Sequence, residues 1–395
     1  MKINIGGEPS GPLAGIRVLD LSTIVSGPLC AQALGDYGAD VIKIESPPVG
    51  DTARFLGGLQ KAGMTGFFAQ FNRNKRGVKL DLKSDEGREA FLKLAADADV
   101  LIENYRPQVM GRLGLSYEVL AERNPRLVYV AINGFGSEGP YAERPAYDMV
   151  IQALSGFAKE LGTAESPRLI SNLVADKTSG LTALSAVLAA LFARERSGKG
   201  QKVEVPMLDA FVSFVLPDSF GAQIFGPPPE SSAVGDGLYR TWPTADGHVA
   251  LIIIEDRQFK AICRALDRHD LEDEPRYATL MDRIQHFEEL FQMLGEEIPK
   301  HRTQDLVARA SKEGAPIAPV NGLDELLADP QAIANSLVLE LPHEVAGPIQ
   351  VLRSAPRFAA TPSDVRRAPP MLGEHTEEVL REAGVPEESI AKLSS

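Results

Sequence analysis

The sequence predicts an α/β protein with two units: a large one built on a mainly parallel sheet and a smaller α+β one. Two observations predict this. Strand-like and helical stretches alternate through the first 205 residues, the pattern of βαβ units. The alternation then breaks at Gly226-Pro-Pro-Pro-Glu, a stiff linker-type segment. We place the large unit at 1–215, a linker at 216–235, the small unit at 236–322, and a return linker with a C-terminal segment rejoining the large unit at 323–395.

The strands are short apolar runs at 16–21, 41–45, 78–82, 100–103 and 127–132. Between them lie helical stretches at 84–98, with Ser84 as N-cap, and at 116–124. A long Ala/Leu-rich helix should begin at Asp176, run to Arg194 and stop at the turn Ser197-Gly-Lys-Gly. In the small unit, Gly247-His-Val-Ala-Leu-Ile-Ile-Ile-Glu255 reads as a strand, with helical signals from Arg257 to about Gly314. Short strands around Gly347-Pro348 lead to a final capped helix over 372–380. Right-handed crossovers put the strand C-termini, and the ligand crevice, on one edge of the sheet.

Composition narrows the functions. The chain has 395 residues, 44% of them hydrophobic and 24% charged, as in ordinary globular proteins. Its net charge of -13 disfavours nucleic acid as the main partner, though a local basic patch suits a phosphorylated cofactor. No apolar run approaches the ~20 residues of a membrane span, and the N-terminus lacks a signal-peptide core, so no membrane partner is expected. Two distant cysteines, Cys30 and Cys263, give no disulfide framework, and a cytoplasmic location is expected. The six histidines lack metal-ligand spacing, so no metal is expected. There is no Walker-type loop, no Gly-x-Ser-x-Gly elbow and no Gly-x-Gly-x-x-Gly in the first βα turn. Glu45 mimics the ribose-binding acid of a dinucleotide site, but without the glycines the dehydrogenase reading is weak.

Asp176 is the candidate for the chemistry, though its position alone does not make it catalytic. A carboxylate at a helix start is favoured in its ionised form, and an ionised, partly desolvated Asp attacks acyl carbon. The bland alternative is a helix cap. Several blocks decide between them: Leu13-Ala-Gly-Ile-Arg-Val-Leu-Asp20, Gly27-Pro28, Leu34-Gly-Asp-Tyr-Gly-Ala-Asp-Val-Ile-Lys-Ile-Glu45, Phe71-Asn-Arg-Asn-Lys-Arg-Gly77, Val78-Lys-Leu-Asp-Leu-Lys83, Glu103-Asn-Tyr-Arg-Pro107, Tyr147-Asp148, Asp176 with Gly198-Lys-Gly-Gln201, and Leu372-Gly-Glu-His375. In order and spacing the chain resembles the family III CoA-transferases, over residues 13–380 and only loosely from 215 to 335.

The resemblance implies a Rossmann-like large domain, a small domain and an interlocked homodimer. It implies coenzyme A, as acyl-CoA, and a small carboxylic acid as substrates, with Asp176 carrying the acyl and CoA groups. It also implies CoA contacts at Ile24, Val25, Lys83, Asn104, Tyr105, Arg112 and Leu113, with a solvated surface charge as the lesser alternative for Lys83 and Arg112. Formyl-CoA transferase has Gln where Val25 stands and Arg where Ser46 stands. Related α-methylacyl-CoA racemases have an acid/base His at Tyr147, and a Tyr with its pKa near ~10 shuttles protons poorly, which points to transfer. Tyr147 and Asp148 are supporting candidates, and helix amides near Lys177 and Thr178 are candidate oxyanion donors.

The expected reaction is acyl-CoA:carboxylate CoA transfer. Its rivals are a racemase on the same scaffold and a CoA-binding protein without chemistry. For the acceptor, the segment 232–240 holds only Gly235 and Gly237 where oxalate specialists carry a tetraglycine-type loop. Tyr239 and Trp242 suggest packing more than a carnitine cage, and Arg240 suits a second carboxylate, so a short dicarboxylate is expected.

Overall fold

The structure, a computed structural model, describes residues 1–226 and 239–394. The chain divides into two compact units, Met1–Gly221 with Ser336–Ser395, and Ala222–Asn335. The re-entry thus falls at 336, because 323–334 forms two short helices that belong to the smaller unit. The linker prolines Pro227–Pro229 and the segment 232–238 lie outside the described residues.

The large unit is built on six parallel strands: β1 (Arg17–Asp20), β2 (Asp40–Glu45), β3 (Lys75–Lys79), β4 (Val100–Glu103), β5 (Val128–Asn133) and β6 (Gln201–Pro206). Their order is β3-β2-β1-β4-β5-β6, so the winding reverses between β1 and β4, where ligands bind in such sheets. Alternate side chains fill two cores. Leu19, Leu101 and Tyr129 face one side, and Val18, Val100, Ile102 and Val130 face the other.

Two strands depart from expectation. The third spans Lys75–Lys79 instead of 78–82, because Lys75 and Arg76, unlikely strand residues by composition, are buried through pairs with Asp20 and Asp40. Strand β6 has no counterpart among the expected strands, although Val203 and Val205 do alternate with polar residues in this edge strand.

On one face lies α1 (Ser26–Asp36); on the other lie α2 (Asp85–Ala96), capped by the Ser84 hydroxyl at Gly87 N, and α3 (Tyr117–Arg123). Then come α4 (Asp148–Leu154), α5 (Val174–Ser197) and α6 (Met207–Val215). Contrary to the sequence reading, α5 is long and apolar enough to cross a membrane, but half of that stretch is buried in the protein, with Ala183, Val187 and Leu191 in the core beside α1. At the C-terminus, the segment ending in His375 lies along β3, His375 N donating to Gly77 O. The predicted final helix begins only at Thr376, and another follows at Glu387–Ser394.

The small unit has a three-stranded antiparallel sheet with His248–Leu251 between Trp242–Pro243 and Ile317–Pro319. The strand is shorter than the predicted 247–255, since Glu255 already serves as N-cap of the helix Asp256–Ala265. Trp242, Phe259, Leu290, Leu294 and Leu306 form its core.

Helices α1 and α5 touch at Gly180, where a Cβ would sit 2.5 Å from Ser26 O. Gly180 lies one turn beyond Asp176, so its missing side chain brings the first turn of α1 beside the first turn of α5. Helix propensity alone favours Ala over Gly by about 1 kcal/mol. We expect the clash to win: Gly180→Ala should lose about 1–3 kcal/mol in denaturant unfolding and lower turnover by separating the helix starts. A stabilised, fully active variant would show that this close approach is dispensable.

Candidate functional site

The turn after β1 is held by polar side chains from three elements. Asp20 Oδ1 accepts from the Ser22 amide and hydroxyl, and Lys43 Nζ donates to Ser22 O at 2.9 Å. Asn104, just past β4, accepts from Thr23 N and donates to Thr23 O, both at 2.8 Å. Asp51 accepts from Ile24 N at 3.1 Å. Gly27 completes the turn, because a Cβ there would lie 2.1 Å from Ser22 Cβ.

This turn opens on a cavity of about 500 Å³ at the switch point of the sheet. Thr23, Ile24 and Ser26 line it from the β1 turn. Asn104, Tyr105, Arg106 and Arg112 line it from the β4 end. Arg144 and Tyr147 contribute from the loop after β5, and Asp176 from α5. Three guanidinium groups, aromatic faces and two carboxylates, Glu143 and Asp176, line the cavity, a set that suits a phosphorylated ligand with a reactive end.

Asp176 is not a cap. Leu173 occupies the N-cap position, and the Asp176 carboxylate has no hydrogen-bond donor among the described residues. Its own amide instead donates to Asp148 Oδ2 at 3.0 Å. Burial, reinforced by the nearby Asp148 charge and opposed by Lys177, pushes the Asp176 carboxyl up to about 7. The sequence reading expected the helix dipole to favour the ionised form; desolvation and a second carboxylate outweigh it.

Asp148 is buried at the start of α4. Its other oxygen accepts from Gln152 Nε2 at 2.5 Å. Gln152 in turn accepts from Ile170 N and donates to the carbonyls of Ile170 and Asn172, so it fixes the segment that leads into α5. Tyr147 precedes α4 with its side chain 69% exposed. Of the two expected oxyanion donors at this helix start, the Lys177 amide is bonded to Leu173 O.

Of the expected CoA contacts, Ile24, Asn104, Tyr105 and Arg112 meet at the cavity. Val25 does not: its side chain is fully buried behind the turn. Leu113 packs against the core beneath the sheet, and Lys83 is exposed outside the cavity lining. Arg106 and Arg144 were not singled out, although Arg106 lies within the motif Glu103-Asn-Tyr-Arg-Pro107 and its charge was the available signal. In the small unit, the Arg240 guanidinium lies over the Phe291 ring at 4.7 Å and the Trp242 ring at 5.3 Å. Trp242 is buried, consistent with packing, whereas Tyr239 is exposed. Gly235 and Gly237 lie outside the described residues. Among the described residues, no group of His, Cys, Asp and Glu is arranged to hold a metal ion.

Comparison with known proteins agrees along almost the whole chain. An acyl-CoA transferase from Fusarium pseudograminearum is 35% identical, covering 97% of this chain and 87% of that protein. A succinate–glutarate CoA-transferase from Agrobacterium fabrum is 36% identical, covering 94% and 95%. The crystal structure of a CaiB/BaiF family protein from Brucella suis superposes with a TM-score of 0.81 at 33% identity, covering 95% of this chain and all of that one (100%). The sequence profile of CoA-transferase family III matches residues 13–376, and the chain belongs to that family.

Proposed function

We propose that this CoA-transferase moves CoA from an acyl-CoA donor to a short dicarboxylic acid through covalent intermediates on Asp176. The observation that carries the reading is the Asp176 carboxylate itself, half-buried on the cavity wall and with no hydrogen-bond donor among the described residues. A carboxylate that only capped its helix would be bonded to amides of the first turn.

The Asp176 carboxylate attacks the thioester carbonyl carbon. The C–S bond breaks, CoA thiolate leaves, and an acyl-aspartyl anhydride forms. The thiolate then attacks the aspartyl carbonyl carbon and expels the donor carboxylate, leaving aspartyl-CoA. An acceptor carboxylate attacks that thioester and displaces thiolate to form a second anhydride. Attack of thiolate on the acceptor's acyl carbon releases the new acyl-CoA and restores Asp176. One thioester replaces another, so no phosphoanhydride is consumed. Arg106, Arg112 and Arg144 are suited to the CoA phosphates and Tyr105 to a stacked base.

The raised Asp176 pKa gives this mechanism a pH signature. The rate at low acyl-CoA should climb about tenfold per pH unit below about 7 and level above it. Asp148→Asn removes the like charge, so its midpoint should move to lower pH. The sign for stability is opposite. The folded carboxyl retains a proton that the unfolded chain has released, so wild type loses stability as pH rises from about 4 to about 7. Asp176→Asn should abolish transfer and gain stability relative to wild type across that window. Transfer by the Asn variant, or a midpoint unmoved by Asp148→Asn, would remove Asp176 from the mechanism.

The acceptor class rests on the succinate–glutarate relative and on Arg240. Arg240→Ala should raise the acceptor KM more for succinate or glutarate than for acetate. Equal losses would assign Arg240 to packing on Phe291 and Trp242 instead.

Assembly follows from family membership and from exposed apolar side chains. Met149, Val150 and Leu154 of α4, Leu181 and Phe192 of α5 and Phe214 of α6 all face outward, the two Phe being 66% and 68% exposed. Such residues suit burial against a second copy in an interlocked homodimer. Sedimentation should give a dimer that persists on dilution until it unfolds; an active monomer would refute this.

A further inference from the structure

A glycine is missing where this fold normally has one. Sheets of this order usually turn after β1 through glycine-rich sequence, because the tight turn needs positive φ and close backbone approach. Here Ile24 takes the left-handed conformation, with φ of 69°. A β-branched residue is strained there and persists only where its surroundings over-determine it.

The surroundings are specific. Asp51 Oδ1 accepts from Ile24 N and also from Ala53 N at 2.9 Å. Its second oxygen lies 3.0 Å from Lys43 Nζ, and both side chains are completely buried. The Asp51 amide is anchored on Glu45 Oε1 at 2.9 Å, and Glu45 is held by Arg54. Asp51 is not among the cavity-lining residues, whereas Ile24, whose amide it holds, is.

We infer that Asp51 is a positioning residue for the acyl-CoA site: it holds the backbone of residue 24 in the left-handed conformation, so that the turn after β1 keeps its place on the cavity wall. The inference rests on the reading of this cavity as the acyl-CoA site. Asp51 touches no ligand; it acts through the backbone of residue 24. Without its acceptor, residue 24 relaxes toward negative φ and the turn leaves its place beside Asn104. A glycine at 24 has no such strain to relieve and holds the turn unaided.

The test is a rescue cycle read by CoA binding in calorimetry and by succinyl-CoA kinetics. Asp51→Ala should raise the KM for succinyl-CoA and the Kd for CoA about tenfold, the scale of a left-handed penalty, while kcat changes less. Adding Ile24→Gly should recover most of that loss. Asp51→Ala strands the Lys43 ammonium; should it not fold, Lys43→Met/Asp51→Ala removes both charges and takes its place. A loss that Ile24→Gly does not repair, or no loss at all, overturns the inference, since a purely electrostatic partner of Lys43 gains nothing from glycine at 24. Wild-type protein that binds no CoA overturns the acyl-CoA reading and this inference with it.

Discussion

The buried ionic layer under the first turn is the constraint on which the rest of the molecule depends. Asp20 pairs with Lys75 at 2.8 Å, Lys43 with Asp51 at 3.0 Å and Glu45 with Arg54 at 2.6 Å, all essentially out of solvent. Burial works against the Asp20 carboxylate, yet Lys75 and Lys43 outweigh it and keep its pKa low. Burial presses Lys75 down to about 8 in spite of Asp20. Three anions balance three cations, so no charge is stranded. Pairs of this kind add little net stability compared with apolar replacements, but breaking one is costly. Their service here is specification: they fix where β1 and β2 end, where β3 begins and where the turn above them lies.

That layer explains what could be read from the sequence and what could not. Apolar runs such as Val100–Glu103 and Val128–Asn133 announce themselves, because strands buried on both faces are continuously hydrophobic. Strand β3 begins Lys75-Arg76, and charge conceals it; only the tertiary partners Asp20, Asp40, Glu378 and Glu382 make it a strand. The basic run Arg73–Arg76 suits a phosphate site on paper. In the fold, Arg73 is spent on Asp36, Lys75 on Asp20 and Arg76 on the acids around it. Glu45, which resembled a ribose-binding acid, is likewise committed to Arg54 and the Asp51 amide.

The site was legible in part for the same reason. Family motifs located Asp176, Asn104, Tyr105 and Arg112 around one cavity. They did not distinguish Ile24, which lines that cavity, from Val25, which is buried behind it. That distinction depends on the backbone angle at residue 24, which no local pattern encodes for isoleucine. Nor could sequence show that Gln152 ties Asp148 to the segment leading into α5, since residues 152, 170 and 172 meet only in space.

The shared environment of Asp148 and Asp176 bears on the direction of the proposed chemistry. In the first anhydride, thiolate has two carbonyl carbons to attack. Attack on the acyl carbon expels Asp176 and returns the starting materials; attack on the aspartyl carbon expels the substrate carboxylate and moves forward. The better leaving group is the less basic carboxylate. An ordinary aliphatic acid titrates near ~4, as Asp and Glu do in water, whereas burial and Asp148 hold Asp176 at about 7. Asp176 is therefore the more basic partner, the stronger nucleophile in the first step and the poorer leaving group in the second. Both properties favour the aspartyl-CoA intermediate. The residue that adds to that basicity also receives the Asp176 amide, so one buried carboxylate both places the proposed nucleophile and, with burial, raises its basicity.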